Sequence, residues 1–260
     1  MAGFELRSFK ELAALQGRVA LVLGGAGHVG VVACETLLEL GATVVAADLT
    51  DRSPGPWPCL HVDLADEEGT RNTVQEVVKQ YGRLDIMIHT AALVANAELS
   101  GWNTTFNQQT VAAWDSALRV NLTSAFVAAQ AARGALQASG HGSVVLVSSI
   151  YGVVGPDFRL YTNVPLHNPA AYGASKAALI QLARYLATLF APSIRVNAVT
   201  PGGIRRSQPD RFVEQYDART PLQRMATEED LKGAIGYLAT DLSSYVTGHN
   251  LVVDGGWTAW

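Results

Sequence analysis

Short β-branched runs alternate with longer helical stretches along nearly the whole chain, and this alternation limits the fold more than any other feature. The runs are Val19–Leu23, Thr43–Ala47, Leu60–Val62, Leu84–His89, Ser143–Ser148, Ile194–Val199 and Asn250–Val253. Helical patterns are expected around 28–40, 66–81, 111–138, 171–190 and 227–240. Strands that read as continuous apolar runs are buried on both faces, as in a parallel sheet. Strand–helix alternation then predicts an α/β fold, one doubly wound parallel sheet flanked by helices on both faces. No repeat, low-complexity tract or linker interrupts it, so residues 1–260 read as one domain. Ser53–Pro58 is a local turn. Three segments resist the alternation, 92–110, 150–170 and 201–226. Long irregular loops in a compact α/β domain are usually functional. All three follow strands, so they should gather at the carboxyl edge of the sheet, where such folds bind ligands.

Composition narrows the class. Of 260 residues, 48% are apolar and 16% charged, which excludes a disordered chain. Lys plus Arg is 19 and Asp plus Glu 23, for a formal charge of −4. That balance offers no footprint for nucleic acid or an anionic membrane. No apolar run approaches the ~18 residues of a membrane span. Glu5, Arg7, Lys10 and Glu11 break up any signal-peptide core. Cys34 and Cys59 form no C-x-x-C pair, which argues against a zinc ribbon or a disulfide framework; no metal site is expected. The cysteines read as small buried hydrophobes, and the chain as a cytoplasmic globular protein.

The first strand runs into Gly24-Gly25-Ala26-Gly27-His28-Val29-Gly30. Glycines are needed where a tight turn lets the backbone approach a pyrophosphate closely. The helix that follows aims free N–H groups and its positive dipole end at that phosphate. A glycine motif between a strand and a helix, with Asp48 closing the second strand, is a dinucleotide-binding pattern. An acid there accepts hydrogen bonds from the adenosine ribose and repels a 2′-phosphate, and no Arg or Lys flanks the glycines. Asp48 therefore argues for NAD over NADP. His28 either donates to a phosphate, covers the adenosine or lies outward.

Asn168-Pro169 reads as the N-cap and first position of a helix carrying Tyr172 and Lys176 four apart on one face. A free tyrosine has a pKa near ~10 and is a poor base at neutral pH. A neighbouring ammonium should lower that pKa and make the pair a proton carrier for a hydroxyl. Ser148 and Ser149 end the strand before it, and either hydroxyl could hold a substrate oxygen. Asn121 interrupts a long helical stretch, as a water-linked proton relay or as a satisfied core amide.

Together these motifs resemble the short-chain dehydrogenase/reductase family, in its compact subtype with a Rossmann-like fold. The resemblance covers essentially the whole chain. It includes the glycine loop, Asp48, Asp63-Leu64, Val120-Asn121-Leu122, Ser148-Ser149, Tyr172 to Lys176, Arg195 to Gly202 and the tail Val253-Asp254-Gly255-Gly256. It implies oxidation or reduction of an alcohol or carbonyl, with Asn121, Ser149, Tyr172 and Lys176 as the catalytic set. Tyr172 would move the proton, Ser149 hold the oxygen, and Lys176 grip the nicotinamide ribose and lower the tyrosine pKa. Asn121 would connect the proton path to water. The cofactor NAD would touch Gly24, Gly27, His28, Val29, Gly30, Asp48, Leu49, Asp63, Leu64, Thr90, Ala91, Ala92, Tyr172, Lys176, Pro201, Gly202 and Ile204. The family also implies a homotetramer or homodimer paired through helices 111–138 and 171–190.

The chain departs from the family at Leu23, at His28, at His89-Thr90-Ala91-Ala92 and around Arg206, where a threonine is usual. The His89 to Ala92 segment resembles the extended, nucleotide-sugar-modifying subtype, so an epimerase or dehydratase is one alternative. A non-catalytic NAD-binding regulator is another. The long 150–170 loop and the arginines Arg159, Arg205 and Arg206 suggest polar walls and a sugar-like or sugar-phosphate substrate. The pattern PDFRLY followed by NPAAYGASK is similar to enzymes of bacterial surface-polysaccharide and flagellar-glycan sugar biosynthesis. Trp257 and Trp260 read as packing at an interface or pocket rim, and Thr227 to Asp230 as a helix start with a capping-box pattern.

Overall fold

The computed structural model describes residues 6–93 and 99–260. Glu5 and residues 94–98 of the expected 92–110 loop lie outside the described residues. Seven parallel strands form one sheet, β1 Val19–Leu23, β2 Thr43–Asp48, β3 Cys59–His61, β4 Ile86–His89, β5 Gly142–Val147, β6 Ile194–Pro201 and β7 Asn250–Val253. Their order is β3-β2-β1-β4-β5-β6-β7. The order reverses between β1 and β4, so the loops after those two strands part and leave the crevice in which such sheets take ligands.

Alternate residues of β1 enter different cores. Val19, Leu21 and Leu23 pack with α3 (Glu67–Tyr81), α5 (Ser124–Ser139) and α6 (Ala170–Phe190). Ala20 and Val22 pack with α2 (His28–Glu39) and α8 (Lys232–Ala239). The apolar runs are continuous because both faces of the sheet are covered.

The structure corrects several expectations. The helix expected over 111–138 is three pieces, α4 (Val111–Leu118), a π-helical turn Arg119–Thr123 and α5. The π turn contains no Gly, Pro or side-chain cap, so no local signal marks the break. The 227–240 helix is split into a 3-10 turn, Glu228–Leu231, and α8; the expected capping box of Thr227 and Asp230 is present. The 201–226 segment is not all loop. It holds α7 (Asp210–Arg219), which buries only Phe212, Val213 and Tyr216 and is otherwise polar. A short α1 (Phe9–Ala13) begins with a capping box of Ser8 and Glu11. Helix α6 begins one residue later than expected. Pro169 is its N-cap, while the Asn168 side chain donates instead to the Tyr161 hydroxyl at 3.1 Å. Cys34 is buried, with its thiol pushed up to about 12 by desolvation, but Cys59 is only half-buried. Trp257 stacks on Tyr216 with ring centroids 4.2 Å apart, whereas Trp260 stays exposed. Among the described residues no helix is long and apolar enough to cross a membrane, and no cluster of His, Cys, Asp or Glu could hold a metal.

Candidate functional site

The glycine loop joins β1 to α2 at the reversal point of the sheet. Gly24 has φ +80°, and a Cβ on it would stand 2.5 Å from the Ala91 backbone nitrogen. A Cβ on Gly30 would stand 2.0 Å from the Gly24 carbonyl oxygen. Thr90 locks the same turn, its hydroxyl donating toward the carbonyls of Leu23 and Gly24. The N–H groups of His28, Val29 and Gly30 meet no acceptor among the described residues, and no side chain caps the helix. Three convergent free donors at a positive helix end fit a pyrophosphate, so the crevice fits a dinucleotide.

Asp48 lies beside this cradle. Its carboxylate accepts from the Ala26 N–H at 3.0 Å and the Leu49 N–H at 2.7 Å, which fixes it at the end of β2. Leu49 is exposed. Asp63 accepts from the Ala65 N–H in an exposed turn after β3, and Leu64 is buried in the core, so it can offer a ligand only its backbone. On the other wall, the Pro201-Gly202 end of β6 is pinned by the Gly202 N–H to the Val253 carbonyl, and Ile204 bridges Ala226. His28 is two-thirds exposed, with Nδ1 3.8 Å from Glu228.

Ser149, Tyr172 and Lys176 meet at the carboxyl end of β5. Ser148 turns inward and donates to the Lys176 carbonyl at 2.7 Å, which leaves Ser149 facing the crevice. The Ser149 hydroxyl lies beside Tyr172 and favours its ionised form. Lys176 is buried. Its Nζ donates to the Val147 carbonyl at 2.8 Å and sits 5.7 Å from the centroid of the Tyr172 ring. Burial pushes this ammonium down to about 7. The expected depression of the tyrosine by the lysine does not appear. Burial raises the Tyr172 phenol, while Ser149 and Arg206 pull it back. The reason is geometric: the ammonium faces the ring and a strand carbonyl. A hydroxyl pair over a weakly held ammonium can still pass a proton to and from an alcohol oxygen.

Asn121 sits on the π turn, fully buried. Its Oδ1 accepts from the Leu93 N–H at 2.7 Å and its Nδ2 donates to Ser175 at 3.0 Å. It therefore joins the loop after β4 to α6, as a satisfied core amide.

Two groups here make pairings that the sequence does not show. His89 ends β4 with no solvent exposure. Because Ser124 Oγ donates to the Val120 carbonyl, Ser124 must accept from His89 Nε2 at 2.6 Å. His89 Nδ1 has no partner among the described residues. Burial, then the nearby Lys176 charge, push the imidazole down to about 3, so it stays neutral. The second is the Tyr151–Tyr161 hydroxyl pair, 2.7 Å apart. Neither has a local sequence signal, since the partners stand 35 and 10 positions apart.

The expected polar, arginine-lined substrate wall is not what the loops build. A cleft of about 640 Å³ opens beside the start of α6, walled by Phe106, Phe158, Tyr161, Pro156 and Pro169, with Gln109, His167 and Asn168 supplying polar atoms. Arg159 is paired with Asp157, whose carboxyl it holds down at about 2, and Arg219 shares that carboxylate. Arg206 is paired with Glu228 at 2.9 Å. The carboxylates expected of a ligand come from the chain itself. Of the three, only Arg205 has a side chain with no acceptor among the described residues.

A family profile described as enoyl-(acyl carrier protein) reductase matches residues 25–258. A cis-4-hydroxycyclohexanecarboxylate dehydrogenase of Sinomonas cyclohexanicum is 33% identical, covering 93% of this chain and 97% of its own. The crystal structure of a short chain dehydrogenase from Leptospira borgpetersenii with bound NAD+ is 31% identical with a TM-score of 0.85, covering 99% of this chain and 98% of its own. A gluconate 5-dehydrogenase from Burkholderia cenocepacia, in complex with NADP and tartrate, is 25% identical with a TM-score of 0.82, covering 96% and 99%.

Proposed function

The chain belongs to the short-chain dehydrogenase/reductase family, and from that premise we propose that it interconverts a secondary alcohol and a carbonyl using NAD. The observation that carries this reading is the meeting of Ser149, Tyr172 and Lys176 beside a glycine cradle with three free N–H donors. The nicotinamide, when bound, supplies or accepts the hydride. Tyr172 Oη takes the proton from the alcohol or returns it to the carbonyl. Ser149 Oγ holds the reacting oxygen beside it. Lys176, four residues on, grips the cofactor ribose. Asn121 holds the loop after β4 against α6, which keeps that wall of the crevice in place. Asp48, fixed at the end of β2, supports NAD over NADP, because a carboxylate there repels a 2′-phosphate. The ratio of NAD to NADP turnover tests this choice.

The substrate reading is a polar, sugar-like alcohol of ring size. Phe106 and Phe158 offer flat apolar faces, and Gln109, His167 and Asn168 offer hydrogen bonds around them. Arg205 is the guanidinium left to meet a carboxylate or phosphate on that substrate. The whole chain works as one cofactor-binding and catalytic unit. It assembles as a homotetramer, or a homodimer, with exposed Val111, Trp114 and Phe126 of α4 and α5 and Tyr185 and Leu189 of α6 as its pairing face. Light scattering should exceed the 27.6 kDa monomer mass.

The test is turnover of NADH or NADPH, followed by absorbance, against polyols, sugars, sugar phosphates and hydroxycycloalkanes. Net cofactor turnover with one of these is expected. Its absence from all four classes, with tight NADH binding, favours a regulator. Isomerised product without net NADH favours an epimerase.

A further inference from the structure

Glu228 holds a side chain from each side of the cofactor crevice. Its Oε1 accepts from Arg206 Nε at 2.9 Å and lies 3.8 Å from His28 Nδ1. His28 opens α2, whose unpaired N–H groups form the phosphate cradle. Arg206 follows Ile204 just beyond β6, and its positive charge reaches Tyr172, whose phenol it pulls down. Arg206 therefore shares a carboxylate with the first residue of α2 and lies within electrostatic reach of Tyr172. A dinucleotide with its pyrophosphate on α2 and its nicotinamide at Tyr172 spans the two.

The guanidinium has donors to spare. Nη1 and Nη2 of Arg206 meet no acceptor among the described residues, and the planar fork matches two phosphate oxygens at once. Both partners are anchored independently. The Arg206 N–H donates to Gln208 Oε1 at 2.6 Å, and Gln208 Nε2 donates to the Ile204 carbonyl at 2.8 Å, which sets the turn. Glu228 begins a 3-10 turn fixed by the Thr227–Asp230 capping box. Burial pushes the Glu228 carboxyl up, but the Arg206 hydrogen bond, a backbone hydrogen bond and the nearby Arg206 and His28 charges together outweigh it and hold the group ionised. A fixed carboxylate and an arginine with free donors thus lie together beside the start of α2.

We propose that Arg206 binds the pyrophosphate of the cofactor and that Glu228 competes with the phosphates for it. This rests on the nicotinamide-cofactor reading above and adds to it a binding residue and its built-in competitor. A purely structural ion pair predicts the opposite sign. If Glu228 only tied down the loop, removing its charge would loosen the site and weaken binding. Competition predicts that removing it strengthens binding.

Isothermal titration calorimetry with NADH, ADP-ribose and adenosine separates the two. Arg206→Gln should raise the Kd for NADH and ADP-ribose by about tenfold or more, the loss of a charge-assisted hydrogen bond, and leave adenosine unchanged. Glu228→Gln should lower the first two by roughly two- to fivefold, the scale of an exposed ion pair. In the Arg206→Gln background, Glu228→Gln should have little further effect, because the competition is gone. The proposal is overturned if Arg206→Gln binds NADH as the wild type does, if it weakens adenosine equally, or if Glu228→Gln fails to tighten NADH. If the wild-type chain binds NADPH and not NADH, the cofactor choice is wrong and NADPH serves as the probe for the same variants. Binding of neither dinucleotide overturns the proposed function and this inference with it.

Discussion

The glycine loop and the loops after β5 and β6 are both prepared for anions, by opposite means. At the glycine loop the donors are backbone N–H groups, three of them with no partner among the described residues. At the later loops the cations are guanidinium groups, and Arg159 and Arg206 are already matched by Asp157 and Glu228. A backbone site is fixed by chain geometry, and its need for glycine marks it in the sequence. A guanidinium chooses its partner in three dimensions, so its presence in a loop says little about a ligand. Arg206 and Glu228 stand 22 positions apart.

The comparison breaks first at the residue both regions serve. Tyr172→Phe keeps the ring and removes the proton carrier, so turnover should fall by roughly 10²-fold or more. The NADH Kd should hold, since the cradle is made elsewhere. Near-normal turnover would mean that the two anion regions flank something other than the reacting centre.

Next comes the backbone site itself. Gly30→Ala places a Cβ 2.0 Å from the Gly24 carbonyl oxygen, with no flexible side chain to give way. The turn must shift, at roughly 1–3 kcal/mol of overpacking, and the free N–H groups shift with it. NADH binding should weaken by about tenfold or more on the same scale, measured by NADH fluorescence. An unchanged Kd would show that the cradle does not hold the cofactor.

Asp48 sharpens the contrast, because it is a side chain used as a backbone anchor. It accepts from the Ala26 and Leu49 N–H groups, so Asp48→Asn keeps the shape while removing the charge. The ratio of NAD to NADP efficiency, kcat/KM for each, should fall by about tenfold, the scale of a hydrogen bond to a charged group. If the ratio holds, Asp48 anchors the loop and cofactor choice is made elsewhere.

What could be read in the sequence follows the same division. All seven strands stand where apolar runs place them; the five inner ones are mostly buried on both faces, which leaves an unbroken pattern, while the edge strands β3 and β7 are only partly buried. Gly24 and Gly30 are legible because only glycine fits their contacts. The π turn at Arg119–Thr123 is not, since its residues include no Gly, Pro or cap to mark the break. Helix α7 is hidden by its polar composition, three buried residues in ten. Partners set by tertiary approach, such as His89 with Ser124, have no local trace. The Tyr172–Lys176 spacing was legible, but the direction in which Lys176 points its charge was not, because that depends on the Val147 carbonyl of the neighbouring strand.

The smallest expected effects lie among the arginines, and they test whether a matched guanidinium differs from an unmatched one. Arg159 is bidentate on Asp157, and most of its side chain is in solvent. Arg219 grips the same carboxylate, so Arg159→Ala leaves Asp157 with a counter-ion. Exposed pairs contribute little because water and salt screen them. The melting temperature of Arg159→Ala should therefore match the wild type, and so should its KM. Arg205 has no such partner among the described residues. With an anionic substrate, Arg205→Ala should raise KM several-fold with little change in kcat, as when binding shared by ground and transition states is lost. Steady-state kinetics of the two variants side by side give the answer. Equal KM values for both would mark Arg205 as a surface charge and the substrate as neutral. A raised KM in Arg159→Ala would show that Asp157 yields its arginine to the substrate, as Glu228 is proposed to yield Arg206 to the cofactor.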